Sequence, residues 1–171
     1  MITPAWCRMM AAYNAEMNRR FYAAAAGLED QARRLDRGAF WGSIHGTLNH
    51  LLWADTMWMS RLDGWDRPPV NLRGSGGLIE DFALLREARR TADLRLTEWA
   101  GRVGQEVLEG DLSWYSGAIE RNLTRPVAMV VAHMFNHQTH HRGQVHAMLT
   151  AAGTASGDTD LFLVVEGMEP G

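Results

Sequence analysis

The composition is that of a chain with enough apolar side chain to form a core. Of its 171 residues, 46% are hydrophobic and 22% are charged, and the formal net charge is −3 at pH 7. A chain of this size is expected to fold as one domain over residues 1–171. The negative net charge, with arginines dispersed among acidic residues, argues against nucleic acid as the main partner.

The cysteine content and the first residues bear on the cellular compartment. Cys7 is the single cysteine, so an internal disulfide is excluded and a reducing cytosol is favoured. Residues 1–10 lack the charged start and the apolar run of a signal peptide. No apolar stretch approaches the length of a membrane span. We therefore expect a cytoplasmic protein that does not associate with membranes.

Hydrophobic periodicity and the positions of glycine and proline predict an all-α fold. The four long helices are expected over approximately residues 4–27, 43–63, 78–102 and 126–152. Residues 28–41 should form a short helical or irregular connection, and residues 153–171 an irregular tail. Residues 105–124 suit a short hairpin-like crossing, which makes a long connection before the last helix. The prediction is a four-helix bundle, an architecture that places metal sites between facing helices.

The second predicted helix, within GSIHGTLNHLLWADTMWMSRL, is apolar almost all round. A helix of this kind is largely buried, and Ser43 is a suitable N-cap for it. His50 lies in its middle and is therefore expected to point into the protein. His45 lies close to its start, where a capping or surface role is expected.

The fourth predicted helix carries most of the histidines. Five of the seven lie between His133 and His146, in HMFNHQTHHRGQVH. His137 and His141 continue an apolar stripe at 3–4 spacing, which is typical of a face turned to a core. The other members of that stripe are Val130, Met134, Val145 and Met148. By the 3.6-residue period, His133 and His140 lie to one side of the stripe and His146 to the other.

Together the two helices predict a three-histidine metal site. Side chains at i and i+4 lie one above the other, so His137 and His141 can bind one ion. Burial of imidazoles without partners is costly, so they require a metal or good hydrogen bonds. The alternative for this pair alone is two hydrogen-bonded core histidines. His50 is the candidate third ligand. Three protein ligands plus solvent form an open, reactive site, whereas four form a closed structural site.

These segments resemble the motifs of the DinB superfamily of small four-helix-bundle metalloproteins. The matching segments are Tyr13–Asn14, GAFWGSIHGTLNHLLWAD from Gly38, NHQTHHRGQVHAMLT from Asn136, and Thr159–Asp160–Leu161. The resemblance covers nearly the whole chain. It implies that His50, His137 and His141 bind a divalent metal ion, nickel or zinc, and that the protein is a homodimer.

The resemblance also implies two kinds of metal-dependent enzyme, a transferase of low-molecular-weight thiols and a hydrolase. The residues between His137 and His141 are Gln138, Thr139 and His140, so the HExxH general base of a zinc peptidase is missing. A thiol transferase requires less from the protein, because the metal lowers the pKa of the thiol. We therefore prefer thiol transfer, although the sequence identifies no catalytic residue. The competing interpretation is a non-catalytic metal-binding stress-response protein with a structural metal.

Three residues near the histidines have alternative roles. Asp55, five positions after His50, either pairs with an arginine or supports a ligand histidine. Arg142 either forms a helix-to-helix ion pair, which we favour, or binds an anionic substrate. Gly143 costs up to ~1 kcal/mol relative to alanine inside a helix. Close approach of another backbone would justify it, and a tolerated imperfection is the alternative.

The tryptophans bear on the pocket and on assembly. Trp53, Trp58 or Trp114 are candidates for the wall of a pocket beside the metal. A bundle of this size cannot hold all of Trp41, Trp58, Trp65 and Trp99 at its centre. Some of them are therefore expected to form an exposed apolar patch, and such patches mark interfaces. We expect a two-fold homodimer with a complete metal site in each protomer.

Overall fold

The protein is mainly helical. Its structure is a computed structural model, which describes residues 2–117 and 119–165. The long helices are α1 (Pro4–Ala26), α3 (Ile44–Leu62), α4 (Phe82–Arg102) and α6 (Val127–Ala151). The short ones are α2 (Asp30–Arg34), α5 (Gln105–Glu109), α7 (Leu161–Val164) and a 3-10 helix (Leu72–Gly77). The prediction of a predominantly helical chain is confirmed. In the described part of the chain, none of the helices has the length and apolar character to cross a membrane.

A small antiparallel sheet interrupts the helical pattern before α6. Strand β1 (Asp111–Ser116) pairs with β2 (Arg121–Pro126), which confirms the hairpin-like crossing and adds a sheet to the predicted all-α fold. Leu112 and Trp114 alternate with exposed residues along β1. Trp114 meets the ring of Trp58 on α3 edge to face, with 5.6 Å between the ring centroids. The hairpin is therefore attached to the helices by its apolar face.

Side-chain caps fix the starts of three long helices. The side chains of Thr3, Ser43 and Asp81 each accept a hydrogen bond from a backbone N–H in the first turn. The third long helix therefore begins at Phe82, and the predicted start at Leu78 is wrong, because the residues before the cap belong to a 3-10 helix and its exit. In the tail predicted to be irregular, α7 forms a single helical turn. Residues 166–171 of that tail lie outside the described residues.

The four long helices contact one another in a ring. Helices α1 and α3 each pack against both α4 and α6. Helix α3 is also covered by the 3-10 helix, by α2 and by β1. This cover explains why every residue from Ile44 to Asp55 is buried, as the apolar sequence of this helix predicts.

A buried ion network joins α1, α3 and α4. Arg89 on α4 donates to Asp55 on α3 at 2.7 Å, and its guanidinium also lies 2.7 Å from the carboxylate of Asp93. Asn18 on α1 donates to Asp93 at 2.9 Å. The side chains of Arg89 and Asp55 are 2% and 1% exposed. The interpretation of Asp55 as the partner of an arginine is therefore confirmed.

Arg142 extends the buried polar region to α6. Its guanidinium donates to the amide oxygens of Asn14 on α1 and Gln138 on α6. Among the described residues no carboxylate lies within ion-pair distance of it, so the favoured ion pair is wrong. Burial lowers the pKa of Arg142 to about 10, opposed by the nearby Tyr13 and Asp55. Arg142 therefore remains charged at neutral pH and is held by neutral oxygens.

The tryptophans do not form an exposed patch. Trp65 and Trp99 are buried, and Trp41 and Trp58 are half-buried. No tryptophan in the described residues is exposed, so the predicted tryptophan patch is wrong. The large apolar side chains that are exposed include Tyr115, Ile119, Met129 and Phe162. The homodimer stays a prediction.

The buried position of Arg89 leads to a first prediction. Arg89→Met removes the cation between Asp55 and Asp93 and leaves two buried carboxylates without it. Breaking a buried ion pair in this way destabilises a protein by about 3–5 kcal/mol. We therefore expect a loss of this order in the free energy of unfolding, measured by urea denaturation.

The neighbouring arginine supplies the matched control. Arg90 forms an exposed pair with Glu87 on the same helix, so Arg90→Met should leave the urea midpoint almost unchanged. Similar losses in the two variants would contradict the role assigned to the buried network.

Candidate metal centre

His50 from α3 meets His137 and His141 from α6. The Nε2 atoms of His50 and His137 are 3.1 Å apart, and each of the three residues offers a ring nitrogen within 4.8 Å of the others. Tetrahedral zinc with Zn–N distances of about 2.0–2.1 Å separates its ligand nitrogens by roughly 3.3 Å. The cluster therefore has the dimensions of a divalent metal site. We call these three residues the histidine cluster.

The predicted stripe on α6 accounts for the position of two of these residues. Its apolar members, Val130, Met134, Val145 and Met148, are all buried. His141 is 7% exposed and His137 is half-buried. His50 is 3% exposed in the middle of α3, as predicted. The two histidines selected by helical period thus meet His50, which comes from a helix far away in sequence.

Two neighbouring side chains hold the imidazoles in place. The Nδ1 atom of His50 lies 2.9 Å from the Ser75 hydroxyl. The Nδ1 atom of His141 lies 2.9 Å from the amide oxygen of Gln144. A carboxamide oxygen can only accept, so His141 donates from Nδ1 and its Nε2 carries a lone pair. This arrangement fits a metal ion, since a ligating imidazole normally donates its other ring N–H to such a partner.

The electrostatics of the cluster favour neutral imidazoles. Burial, together with the neighbouring His137 and His141, lowers the pKa of His50 to about 3. Burial and the other histidines lower the pKa of His137 to about 4. Burial also lowers the pKa of His141, and the hydrogen bond that His141 donates to Gln144 opposes this effect. Since only neutral imidazole binds metal, all three rings are available as ligands at neutral pH.

The remaining histidines have other partners. His45 is 3% exposed and its Nε2 lies 3.1 Å from the carbonyl of Ile79, so the predicted capping or surface role is wrong. His133 and His140 are exposed beside the stripe, as its geometry predicts. His146, on the other side, lies 2.9 Å from the Ser156 hydroxyl.

The histidine cluster lines an open cleft of about 540 Å3. Besides the three histidines, the cleft is lined by Phe40, Trp41, Leu72 and Arg73. Trp41 stacks on His50 with 4.2 Å between ring centroids and 21° between planes. Trp53 was a predicted wall of the pocket, but it packs on His50 at 6.0 Å without lining the cleft. Trp58 and Trp114 pack against each other at the hairpin, so none of the three predicted tryptophans lines it.

A tight loop before α3 brings Trp41 onto His50. Gly38 and Gly42 have φ angles of +73° and +71°, which favour glycine. Gly46, in the first turn of α3, faces the carbonyl of Trp41, and an added Cβ would lie 2.5 Å from that oxygen. Gly46 therefore allows the loop to lie against the helix. Helical periodicity gives no indication that Trp41 is part of the site, because Trp41 lies in a loop.

The second wall of the cleft is held by hydrogen bonds between a side chain of α3 and the backbone of Ile79. The side chain of Asn49 accepts from the N–H of Ile79 at 2.8 Å and donates to its carbonyl at 3.2 Å. These contacts hold the end of the segment that contains Leu72, Arg73 and Ser75. Ser75 is fully buried, but a serine in a glycine-rich segment gives no sequence signal of this role. Gln144 could have been found, because it lies one turn after His141.

A DinB family model matches residues 1–170. The chain belongs to the DinB family. No curated protein and no solved structure gives a significant match to it. Two motifs of this DinB chain outside the cluster now have structural roles. The hydroxyl of Tyr13 donates to the carbonyl of Thr159 at 2.6 Å, and Asn14 accepts from Arg142.

The glycines of this DinB protein provide a second prediction. Gly46→Ala places a methyl group against the Trp41 carbonyl, so the loop must move and Trp41 must shift on His50. We expect roughly 1–3 kcal/mol of destabilisation and a changed tryptophan fluorescence in the native state.

Gly143→Ala is the matched control. An added Cβ at Gly143 would meet no atom within 4 Å, so the interpretation of a close backbone approach is wrong. Alanine is the better helix former, and we expect stabilisation of about 0.5–1 kcal/mol. Stabilisation by both substitutions in urea denaturation would contradict the crowding at Gly46.

Proposed function

We propose that this DinB protein binds one divalent ion, nickel or zinc, through His50, His137 and His141 and transfers a low-molecular-weight thiol to an electrophilic substrate. The convergence of three neutral imidazoles on an open cleft is the observation that carries this proposal. When bound, the ion would act as a Lewis acid that lowers the pKa of a coordinated thiol or water. The ring of contacts among α1, α4, α3 and α6 supports a four-helix bundle that holds the site between α3 and α6.

The residues around the cluster preorganise it. Ser75 and Gln144 bond to the Nδ1 atoms of His50 and His141, which leaves the Nε2 atoms of these rings to hold an ion. Trp41 and Trp53 lie nearly parallel to the ring of His50 and limit its rotation. Rigid ligands of this kind reduce the entropy lost when the ion binds.

The lining of the cleft favours thiol transfer over hydrolysis. Within the described part of the chain, the cleft has no carboxylate that could act as a general base on water. A thiol needs no such base once it is bound as a thiolate. In the proposed reaction a carbon–sulfur bond forms, the leaving group departs with its bonding electrons, and the thiol proton passes to solvent. The same open cleft argues against a structural metal, which would be enclosed by a fourth protein ligand.

The ligand assignment predicts which substitutions remove the metal. His50→Ala, His137→Ala and His141→Ala should each lose most bound nickel or zinc, measured by elemental analysis after dialysis in limiting metal. Ligands from two helices come together only in the folded state, so metal also stabilises that state. We expect chelation to lower the melting temperature of the wild type by an amount equivalent to about 2.7 kcal/mol for an ion at 100 times its Kd.

Two controls test this assignment. His133→Ala should keep its metal, because His133 lies outside the histidine cluster. Chelation should leave the melting temperature of His137→Ala unchanged. Equal metal loss in His133→Ala and His137→Ala would contradict the ligand assignment.

The proposed activity predicts a thiol-dependent reaction. Metal-loaded protein with glutathione or 2-mercaptoethanol should accelerate displacement of chloride from 1-chloro-2,4-dinitrobenzene, followed by absorbance. The acceleration should disappear in His137→Ala. Acceleration of p-nitrophenyl acetate hydrolysis without any thiol conjugation would instead support the hydrolase, and neither activity in a protein of full metal content would support a structural metal.

A further inference from the structure

The cleft over the histidine cluster combines one cationic side chain with apolar walls. Arg73 is the only permanently charged residue among the described residues that line it. Phe40, Trp41 and Leu72 provide the apolar part, and Phe40 is 79% exposed. An apolar side chain so open to solvent, beside a cation and a metal-sized cluster, suits a ligand with both apolar and anionic groups.

Arg73 is free to bind a ligand. Among residues 2–117 and 119–165 it has no carboxylate within ion-pair distance. Its backbone is held close to the cluster, because Ser75, two residues later, lies 2.9 Å from His50. Asn71 also accepts from the N–H of Gly74, which fixes the turn that carries Arg73.

The charge at the histidine cluster also favours an anionic ligand. Three neutral imidazoles leave the charge of a divalent ion uncompensated. The two buried carboxylates of the described chain, Asp55 and Asp93, are engaged by Arg89 and do not line the cleft. A ligand that brings negative charge is therefore favoured both at the ion and at Arg73.

We infer that Arg73 is a specificity-determining residue that binds the carboxylate of a small thiol whose sulfur reaches the histidine cluster. The ligand class is a carboxylate-bearing thiol with a short apolar stem that lies against Phe40 and Leu72. A guanidinium binds a carboxylate with two parallel hydrogen bonds, so Arg73 also orients the ligand. This inference rests on the proposed metal-dependent thiol transfer and extends it to the choice of thiol.

The test compares two thiols that differ in one group. Protein loaded with Co2+ is titrated with 3-mercaptopropionate, which carries a carboxylate, and with 2-mercaptoethanol, which carries a hydroxyl. The thiolate-to-cobalt absorption band gives an apparent Kd for each. Arg73→Gln should raise the Kd of 3-mercaptopropionate about fivefold, which corresponds to the upper range for an exposed ion pair, and leave that of 2-mercaptoethanol unchanged.

Three further measurements make the test selective. Arg73→Lys should restore part of the affinity, because it keeps the charge but not the paired hydrogen bonds. Arg86→Gln removes one exposed positive charge outside the cleft and should not alter either Kd. Added NaCl should weaken the binding of 3-mercaptopropionate to the wild type more than to Arg73→Gln.

The outcomes separate this inference from the function on which it rests. A protein that binds no Co2+, or shows no thiolate band with either thiol, would overturn the proposed function and the inference with it. If both thiols give the band but Arg73→Gln changes their two Kd values equally, or changes neither, the inference alone would be overturned. An effect of Arg86→Gln as large as that of Arg73→Gln would also overturn it, because overall charge would then explain the preference.

Discussion

The buried contact between Arg89 and two carboxylates constrains the packing of the long helices. A charge that loses its partner in the interior costs several kcal/mol, so Asp55 on α3 and Asp93 on α4 must both stay beside the guanidinium. Asn18 bonds to Asp93 and brings α1 into the same arrangement. Apolar contacts between helices tolerate small shifts along the axis, whereas the hydrogen bonds from Arg89 to Asp55 at 2.7 Å and from Asn18 to Asp93 at 2.9 Å do not. The network therefore favours one register of α1 and α3 against α4.

The register matters because the histidine cluster lies across two helices. Gln138, the residue after His137, is fully buried and donates to the carbonyl of Leu51 at 3.4 Å. Leu51 is the residue after His50. This contact joins α6 to α3 beside the pair of histidines whose Nε2 atoms are 3.1 Å apart. A shift of one helical turn, about 5.4 Å, would break it and separate the imidazoles. The hydrogen bond between Gln138 and Leu51 thus joins the two residues that directly follow His137 and His50 in the chain.

Helical periodicity predicted the regular helices of this molecule and the faces that they bury. It gave the four long helices, the buried middle of α3, and the choice of His137 and His141 over His133 and His140. It could not describe the loop that carries Trp41 or the 3-10 segment that carries Arg73 and Ser75, because their positions depend on tertiary contacts with α3. Burial of His45 was missed for the same reason, since its partner is the carbonyl of Ile79. The ion pair predicted for Arg142 was wrong. The sequence shows that a buried cation needs partners, but it does not show that the amide oxygens of Asn14 and Gln138 supply them.

The distribution of charge differs between the interior of this protein and the cleft that holds the candidate metal site. The buried acids of the described chain are engaged with Arg89, deep among the helices, where they contribute to a fixed packing. The histidine cluster contains only neutral donors. A carboxylate ligand would neutralise part of the charge of a bound ion and weaken it as a Lewis acid. Because the described residues that line the cleft include no carboxylate, the full charge of a bound ion would be available to an anion entering from the cleft, and Arg73 would add to it.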